Sequence, residues 1–212
     1  MIIGTIKADK VSAIRSDPPA RIFETGAYKG KILQAEQYET KNGAAMLRFY
    51  FESNEGTTAW LSLCIIKSDG EEAYGMGIFQ SMMYVSKTDS VEWAEGKVRN
   101  MKGEIVKGYR GRAIEGKPIG LVLEAEPREY LYLGEVKIAN DMTIRRAFDP
   151  ATGRTAKEVD SGATEATAIP ALLKNLKEHP KAVRKLDGGT QAQASSAASM
   201  PPDPPVDDDM PF

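Results

Sequence analysis

Two segments in which apolar and polar side chains alternate, joined by a short polar turn, constrain the fold of this chain more than any other feature. The first, AMLRFYFE at 45–52, places a leucine and two phenylalanines on one side, and the second, TTAWLSLCI at 57–65, alternates in the same way. A period of two residues is typical of a β-strand with one buried face. With the turn Ser-Asn-Glu-Gly at 53–56, the pattern predicts an antiparallel hairpin whose apolar side faces a core.

The other side of this predicted hairpin carries Arg48, Tyr50 and Trp60. In the register centred on residue 55, Tyr50 and Trp60 lie directly opposite each other, because cross-strand partners share a face. Two aromatic rings beside a guanidinium suit the stacking of nucleobases. The alternative is that a second layer, either the following helix or the N-terminal arm, covers this face and makes both rings core.

A strand is also predicted at 28–38, after an N-terminal arm at 1–26 that holds one short strand at most. The sequence Lys41-Asn42-Gly43 follows it and is the strongest hairpin signal in the chain. A two-residue turn would place Tyr38 with Phe49, whereas a loop with an odd number of residues would place it with Tyr50. The pattern leaves both arrangements open.

Two helices are predicted among the remaining elements. In 71–86, large apolar side chains recur at helical spacing behind acidic Glu71 and Glu72, which favour a helix N-terminus. These side chains are core fillers: Met76, Phe79, Met82 and Met83. A shorter amphipathic helix follows Pro170 and ends near His179, with an apolar face of Ile169, Leu172, Leu173 and Leu176.

Further strands are predicted at 116–127, at about 135–139 and at 142–148. The segment REYLYLG after Pro127 continues the first of these as strand or bulge, and a turn at 149–153 follows the last.

The most basic segment of the chain is 97–112, where six cations face one acidic residue, Glu104. The cations are Lys97, Arg99, Lys102, Lys107, Arg110 and Arg112. Three glycines interrupt the segment and Tyr109 lies between bases, so we predict a mobile basic loop or ribbon. Its cations would neutralise phosphates and Tyr109 would stack on a base. The alternative is a solvated basic surface with no ligand.

Composition narrows the class of protein. At 212 residues and 42% hydrophobic content, the chain has material for one substantial core. Cys64 and His179 are the only residues of their types, so neither an internal disulfide nor a zinc site is expected, and a reducing cytoplasm is predicted. The sequence shows no signal peptide, membrane span or nucleotide-binding loop, and we predict no cofactor, metal or catalytic residue.

Composition changes after Leu186. Residues 187–206 hold almost no large apolar side chain and predict a disordered linker. An acidic tip follows, made of Asp207, Asp208, Asp209, Met210, Pro211 and Phe212. The formal charge of −2 therefore hides a mildly basic body, with 28 basic residues against 26 acidic ones before residue 191. The tip suits a partner with an apolar pocket for the phenylalanine ring, a cation for the terminal carboxylate and a basic rim.

The tip DDDMPF resembles the C-terminal tip of the bacterial single-stranded-DNA-binding protein family, departing from it only in having Met210 at the aliphatic position. The stretch from Gly26 through Trp60 is similar to the start of the corresponding domain in bacteriophage-encoded members. The resemblance implies an OB-fold, a five-stranded Greek-key barrel, at 1–186 with added strands and helices. Periodicity by itself predicts only a mainly β barrel or sandwich.

Two functions follow from these expectations. The first is a non-enzymatic protein that coats single-stranded DNA during replication, recombination and repair, and recruits partners through its tip. Its DNA site would comprise Arg48, Tyr50, Trp60 and the cations and tyrosine of 97–112. The second is an adaptor that binds DNA weakly and uses the tip to reach the same partner proteins. Oligomeric state, a homo-oligomer included, and DNA-versus-RNA preference are left open by the sequence.

Overall fold

In the computed structural model, which describes residues 19–186, the chain is mainly β, with seven antiparallel strands in one sheet. The strands are β1 (Gly26–Glu39), β2 (Ala45–Ser53), β3 (Thr58–Ile66), β4 (Ala94–Arg99), β5 (Ile105–Arg110), β6 (Pro118–Tyr132) and β7 (Glu135–Phe148). The helices are α1 (Tyr74–Val85), α2 (Ala156–Asp160) and α3 (Ala168–Glu178), and a 3-10 turn spans Arg112–Ile114.

Strand β1 joins the parts of the sheet because it is paired along both edges. Residues 30–39 pair with β2 on one edge. On the other edge, residues 26–31 pair with β6 and residues 36–37 with β5. The hairpins β4–β5 and β6–β7 therefore occupy neighbouring parts of the same edge of β1. Strand β7 also contacts β3.

The core lies on one side of β1, β2 and β3 and is covered by α1. Leu47, Phe49 and Phe51 of β2 are completely buried, as the alternation predicts. Phe79 and Met82 of α1 are buried against them, and Met76 and Met83 pack at the edge of the same cluster, which confirms that this helix fills the core.

Helix α1 begins later than predicted. Its first residue is Tyr74, because Glu72 pairs with Ile66 in a β-bridge and Glu71 closes a turn by accepting a hydrogen bond of 2.7 Å from Lys67. The two glutamates thus precede the helix without entering its first turn.

The prediction of two strands between 135 and 148 is wrong. β7 is one strand of 14 residues, paired with β6 along its length and interrupted only by a bulge whose extra residue is Arg145. β6 likewise runs through Pro127. The predicted break fell at 140–141, but Asn140 and Asp141 pair regularly with Pro127 and Glu126 of β6, so the ladder continues through the polar residues that suggested a strand end.

Helix α2 was not predicted, although its signal is in the sequence. Thr155 and Glu158 form a reciprocal capping box, in which each side chain bonds the other residue's backbone N–H. Helix α3 begins two residues before Pro170, which occupies the first turn, where backbone N–H groups have no intrahelical partner. Ile169 and Leu176 of α3 pack on Val122 and Phe148, outside the main core.

Candidate nucleic-acid interface

We call the side of β1–β3 that is turned away from the core the outer face. Cross-strand pairing places on its central part Gln34, Glu36 and Tyr38 of β1, Met46, Arg48 and Tyr50 of β2, and Trp60, Ser62 and Cys64 of β3. The predicted register of the β2–β3 hairpin is therefore confirmed.

Tyr50 and Trp60 stack on each other on the outer face. Their ring centroids are 4.7 Å apart and their planes differ by 27°. Both residues are half-buried, and neither belongs to the apolar clusters of the described residues. The contact occupies one face of each ring.

Tyr38 also lies on the outer face, which the sequence left open. The loop after β1 comprises the five residues 40–44, an odd number, and this puts Tyr38 opposite Met46. The loop is closed by a hydrogen bond from the Thr40 N–H to the Ala44 carbonyl, and Gly43 supplies its positive φ of 82°. A third aromatic ring thus lies on the same face as the Tyr50–Trp60 pair, with Arg48 between them.

Arg48 is held between Tyr38 and Glu36. Its guanidinium lies 4.3 Å from the centre of the Tyr38 ring, and its Nη1 is 3.3 Å from Glu36 Oε2. Burial raises the pKa of the Glu36 carboxyl above its ordinary value, and the charge of Arg48 offsets part of that rise. Because both side chains are about nine-tenths buried, Arg48 positions Tyr38 and is poorly placed to bind a phosphate.

The β4–β5 hairpin, which we call the ribbon, lies against one edge of the outer face. The Gln34 side-chain amide donates to the Arg99 carbonyl at 2.9 Å and accepts from the Arg99 N–H at 2.7 Å. Val98 is buried, and a side chain at Gly108 would collide with Val98 and crowd Glu36. These contacts fix the ribbon to β1 and determine which of its sides is exposed.

The ribbon turns three of its cations, Lys97, Arg99 and Lys107, away from the outer face. Lys97 is opposite Lys107, and Tyr109 is opposite Glu95, so these side chains share the side that alternates with Val98 and Gly108. Lys97, Arg99, Lys102, Lys107, Tyr109 and Arg112 are all exposed. The structure therefore confirms a ribbon, but its strand pairing holds Lys97, Arg99 and Lys107 on the side away from Tyr50 and Trp60.

Arg110 is the one cation of the ribbon strands on the same side as the outer face, since it lies opposite Glu36. Its charge is already neutralised by Glu115. Its Nε and Nη2 each lie 2.8 Å from a Glu115 carboxylate oxygen, and this hydrogen bonding raises the pKa of Arg110. Glu115 also accepts the Ala35 N–H. Arg110 thus fastens the ribbon to β1.

Lys31 is a further cation at the outer face that the sequence pattern did not single out. It is opposite Glu52 and forms an ion pair with it at 3.0 Å, with about half of its side chain exposed. The sequence could not place Lys31 or Tyr38 on this face because their positions depend on the register between β1 and β2.

The predicted tip, 207–212, and linker, 187–206, lie outside the described residues. Between residues 19 and 186, no cluster of three or more histidine, cysteine or acidic side chains is placed to hold a metal ion. No helix in that range is long and apolar enough to cross a membrane. No protein-family model matches the chain, and a search of curated proteins finds no match.

Proposed function

We propose that this protein binds single-stranded DNA without strong sequence preference and carries out no catalysis. The observation that supports the proposal best is the stacked Tyr50–Trp60 pair, half-exposed on a sheet face outside the core. Exposed aromatic rings on a strand surface accept any base, because every base has a π-face. Tyr38, held by Arg48, extends the aromatic surface toward the ribbon.

The sheet order supports an OB-type barrel as the scaffold. The order β3-β2-β1-β6-β7, with β7 near β3 and α1 packed against both, is compatible with a five-stranded Greek-key barrel. The ribbon, the distal part of β6–β7, α2 and α3 would then be additions to that barrel.

The exposed cations suggest a path for the phosphate backbone. A strand stacked on Tyr50 and Trp60 would pass around the ribbon to reach Lys97 and Lys107, where Tyr109 offers another ring. On the resemblance of the tip, 207–212 would recruit replication, recombination and repair proteins, in the bacterial cytoplasm if the chain is encoded by a bacteriophage.

A second candidate function is an adaptor that reaches the same partners and binds DNA weakly. Two observations favour it: Arg48 and Arg110 are neutralised by Glu36 and Glu115, and the exposed cations of the ribbon strands lie on another side from the aromatic pair. Fewer cations would then contact the phosphates than the sequence suggests.

Fluorescence titration with oligo-dT at two salt concentrations distinguishes the two. The protein has two tryptophans, and Trp93 packs on the core near Phe79. The variant Trp93→Phe therefore leaves Trp60 as the only reporter. Quenching of Trp60 with salt-sensitive binding to oligo-dT, and weaker binding to duplex DNA, supports the first function. Absence of binding at low salt would leave the adaptor.

A further inference from the structure

A cleft of about 240 Å³ lies between α1, β7 and the start of α2, on elements that do not form the outer face. Its apolar lining includes Ile78, Ala147 and Ala156, and its basic residues are Arg145, Arg146 and Lys157. The volume is below the roughly 300–1,000 Å³ of small-molecule sites and suits one or two side chains.

The charge of the cleft has one sign. No carboxylate lines it, and Arg146 and Lys157 are exposed and form no ion pair within residues 19–186. Arg145 is the extra residue of the β7 bulge, a feature that redirects side chains, and its Nε is 3.2 Å from Glu124. An apolar floor with a basic rim is therefore displayed beside Tyr74, which is 75% exposed.

We propose that the occupant of this cleft is the chain's own segment 207–212. That segment joins three carboxylates to Met210, Pro211 and Phe212, which is the complement of a small apolar site with basic neighbours. The ring of Phe212 enters between Ile78 and Ala156, and the aspartates face Arg146 and Lys157.

The covalent reach of the chain permits this contact. Residues 187–206 can span up to roughly 65 Å at about 3.3 Å per residue. A domain of this size has a radius of gyration of about 15 Å. The tip can thus arrive from Leu186 at any side of the body. While it occupies the cleft it is withheld from partner proteins, so the cleft regulates recruitment from a site outside the outer face.

Photo-crosslinking in the full-length chain tests the proposal. Phe212 is replaced by p-benzoylphenylalanine, the chain is irradiated without DNA, and cross-links are mapped by mass spectrometry. We expect cross-links within one chain to Tyr74, Ile78 or Ala156. Charge reversal of the rim, Arg146→Glu with Lys157→Glu, should reduce their yield about fivefold or more, as should raising salt from about 0.05 to 0.3 M.

The matched control reverses the charge of two exposed lysines of α3, Lys174→Glu with Lys177→Glu. Neither lysine lines the cleft, so the cross-link yield should stay within about twofold of the wild type. Thermal unfolding checks that both double variants are folded. Cross-links to the outer face or the ribbon, cross-links between two chains, or equal yields in the two double variants would overturn the proposal. If the chain cross-links in the cleft but does not bind oligo-dT, the proposed function is refuted while this inference stands.

Discussion

Trp60 is the single residue on which the aromatic surface most depends. Because the ring lies outside the core clusters, we expect Trp60→Ala to leave the domain folded and to weaken binding to oligo-dT by about 1–3 kcal/mol. The salt dependence of binding should be nearly unchanged, since stacking releases no counterions. Titrations of the wild type and the variant at several salt concentrations measure both quantities.

The conservative variant Trp60→Phe serves as the control, since it keeps an aromatic face and should retain most of the affinity. Phe49→Ala provides the opposite reference, because Phe49 is fully buried and its loss should cost about 3–5 kcal/mol of stability. If Trp60→Ala lowers the melting temperature as much as Phe49→Ala does, the ring is structural and the interface must be sought elsewhere.

Glu158 makes stability depend on pH. Backbone N–H groups of Thr155, Ala168 and Thr167 donate to its carboxylate and hold its pKa at about 2, below the ordinary 4.5. A lowered pKa in the folded state means that the stabilisation is present above pH 4.5 and is lost as the pH falls toward 2.

We therefore expect Glu158→Gln to be destabilised at pH 7, with the gap to the wild type narrowing between pH 4.5 and 2. Urea unfolding at three pH values measures the gap. A gap of constant size over this range would show that the carboxylate charge has no part in holding α2 against the start of α3.

At the scale of the element, the ribbon presents Lys97 and Lys107 together on the side away from the outer face. Replacing Lys97 and Lys107 together by alanine should lower the salt slope of single-strand binding by at most about 1.4 units, at roughly 0.7 for each phosphate that is no longer neutralised. Salt titrations with oligo-dT measure the slope. An unchanged slope would remove this side of the ribbon from the DNA path.

Arg110 and Arg112 should behave differently from each other, although both belong to the same basic segment. Arg112 is exposed, so Arg112→Ala should lower the slope by no more than about 0.7. Arg110 binds Glu115, so Arg110→Ala should chiefly destabilise the protein by leaving that carboxylate without its partner. Unfolding and salt titration of the two single variants separate these effects.

At the scale of the whole molecule, the three aspartates of the tip should repel the phosphates of DNA wherever the tip lies on the body. Deleting 207–212 should raise single-strand affinity at low salt. The gain should fade by about 0.3 M, where the Debye length is roughly 5–6 Å. The same deletion should abolish binding to partner proteins, which a pull-down with the tagged chain detects.

Phe212→Ala separates the two effects because it keeps every aspartate. Partner binding should be lost while affinity for DNA stays close to that of the wild type. Intact recruitment by this variant would reduce the tip to an acidic tail and remove the main support for the resemblance on which partner binding depends.

Three features were predictable from the sequence: the strands of the β2–β3 hairpin, the face shared by Tyr50 and Trp60, and the apolar stripe of α1. Each is encoded by a period of two or of 3.6 within a few consecutive residues, and the structure keeps all three. The capping box of α2 was equally local and could have been found by the same means.

Only the tertiary structure decided which charged side chains remain available at the outer face. Gln34 and Arg99 are 65 residues apart, and Ala35 and Glu115 are 80 apart, yet these contacts fasten the ribbon to β1. They turn Lys97, Lys107 and Tyr109 away from Tyr50, and they neutralise Arg110. Alternation along a strand determines which side chains share a side, but packing between distant segments determines what that side faces, and no local pattern records it.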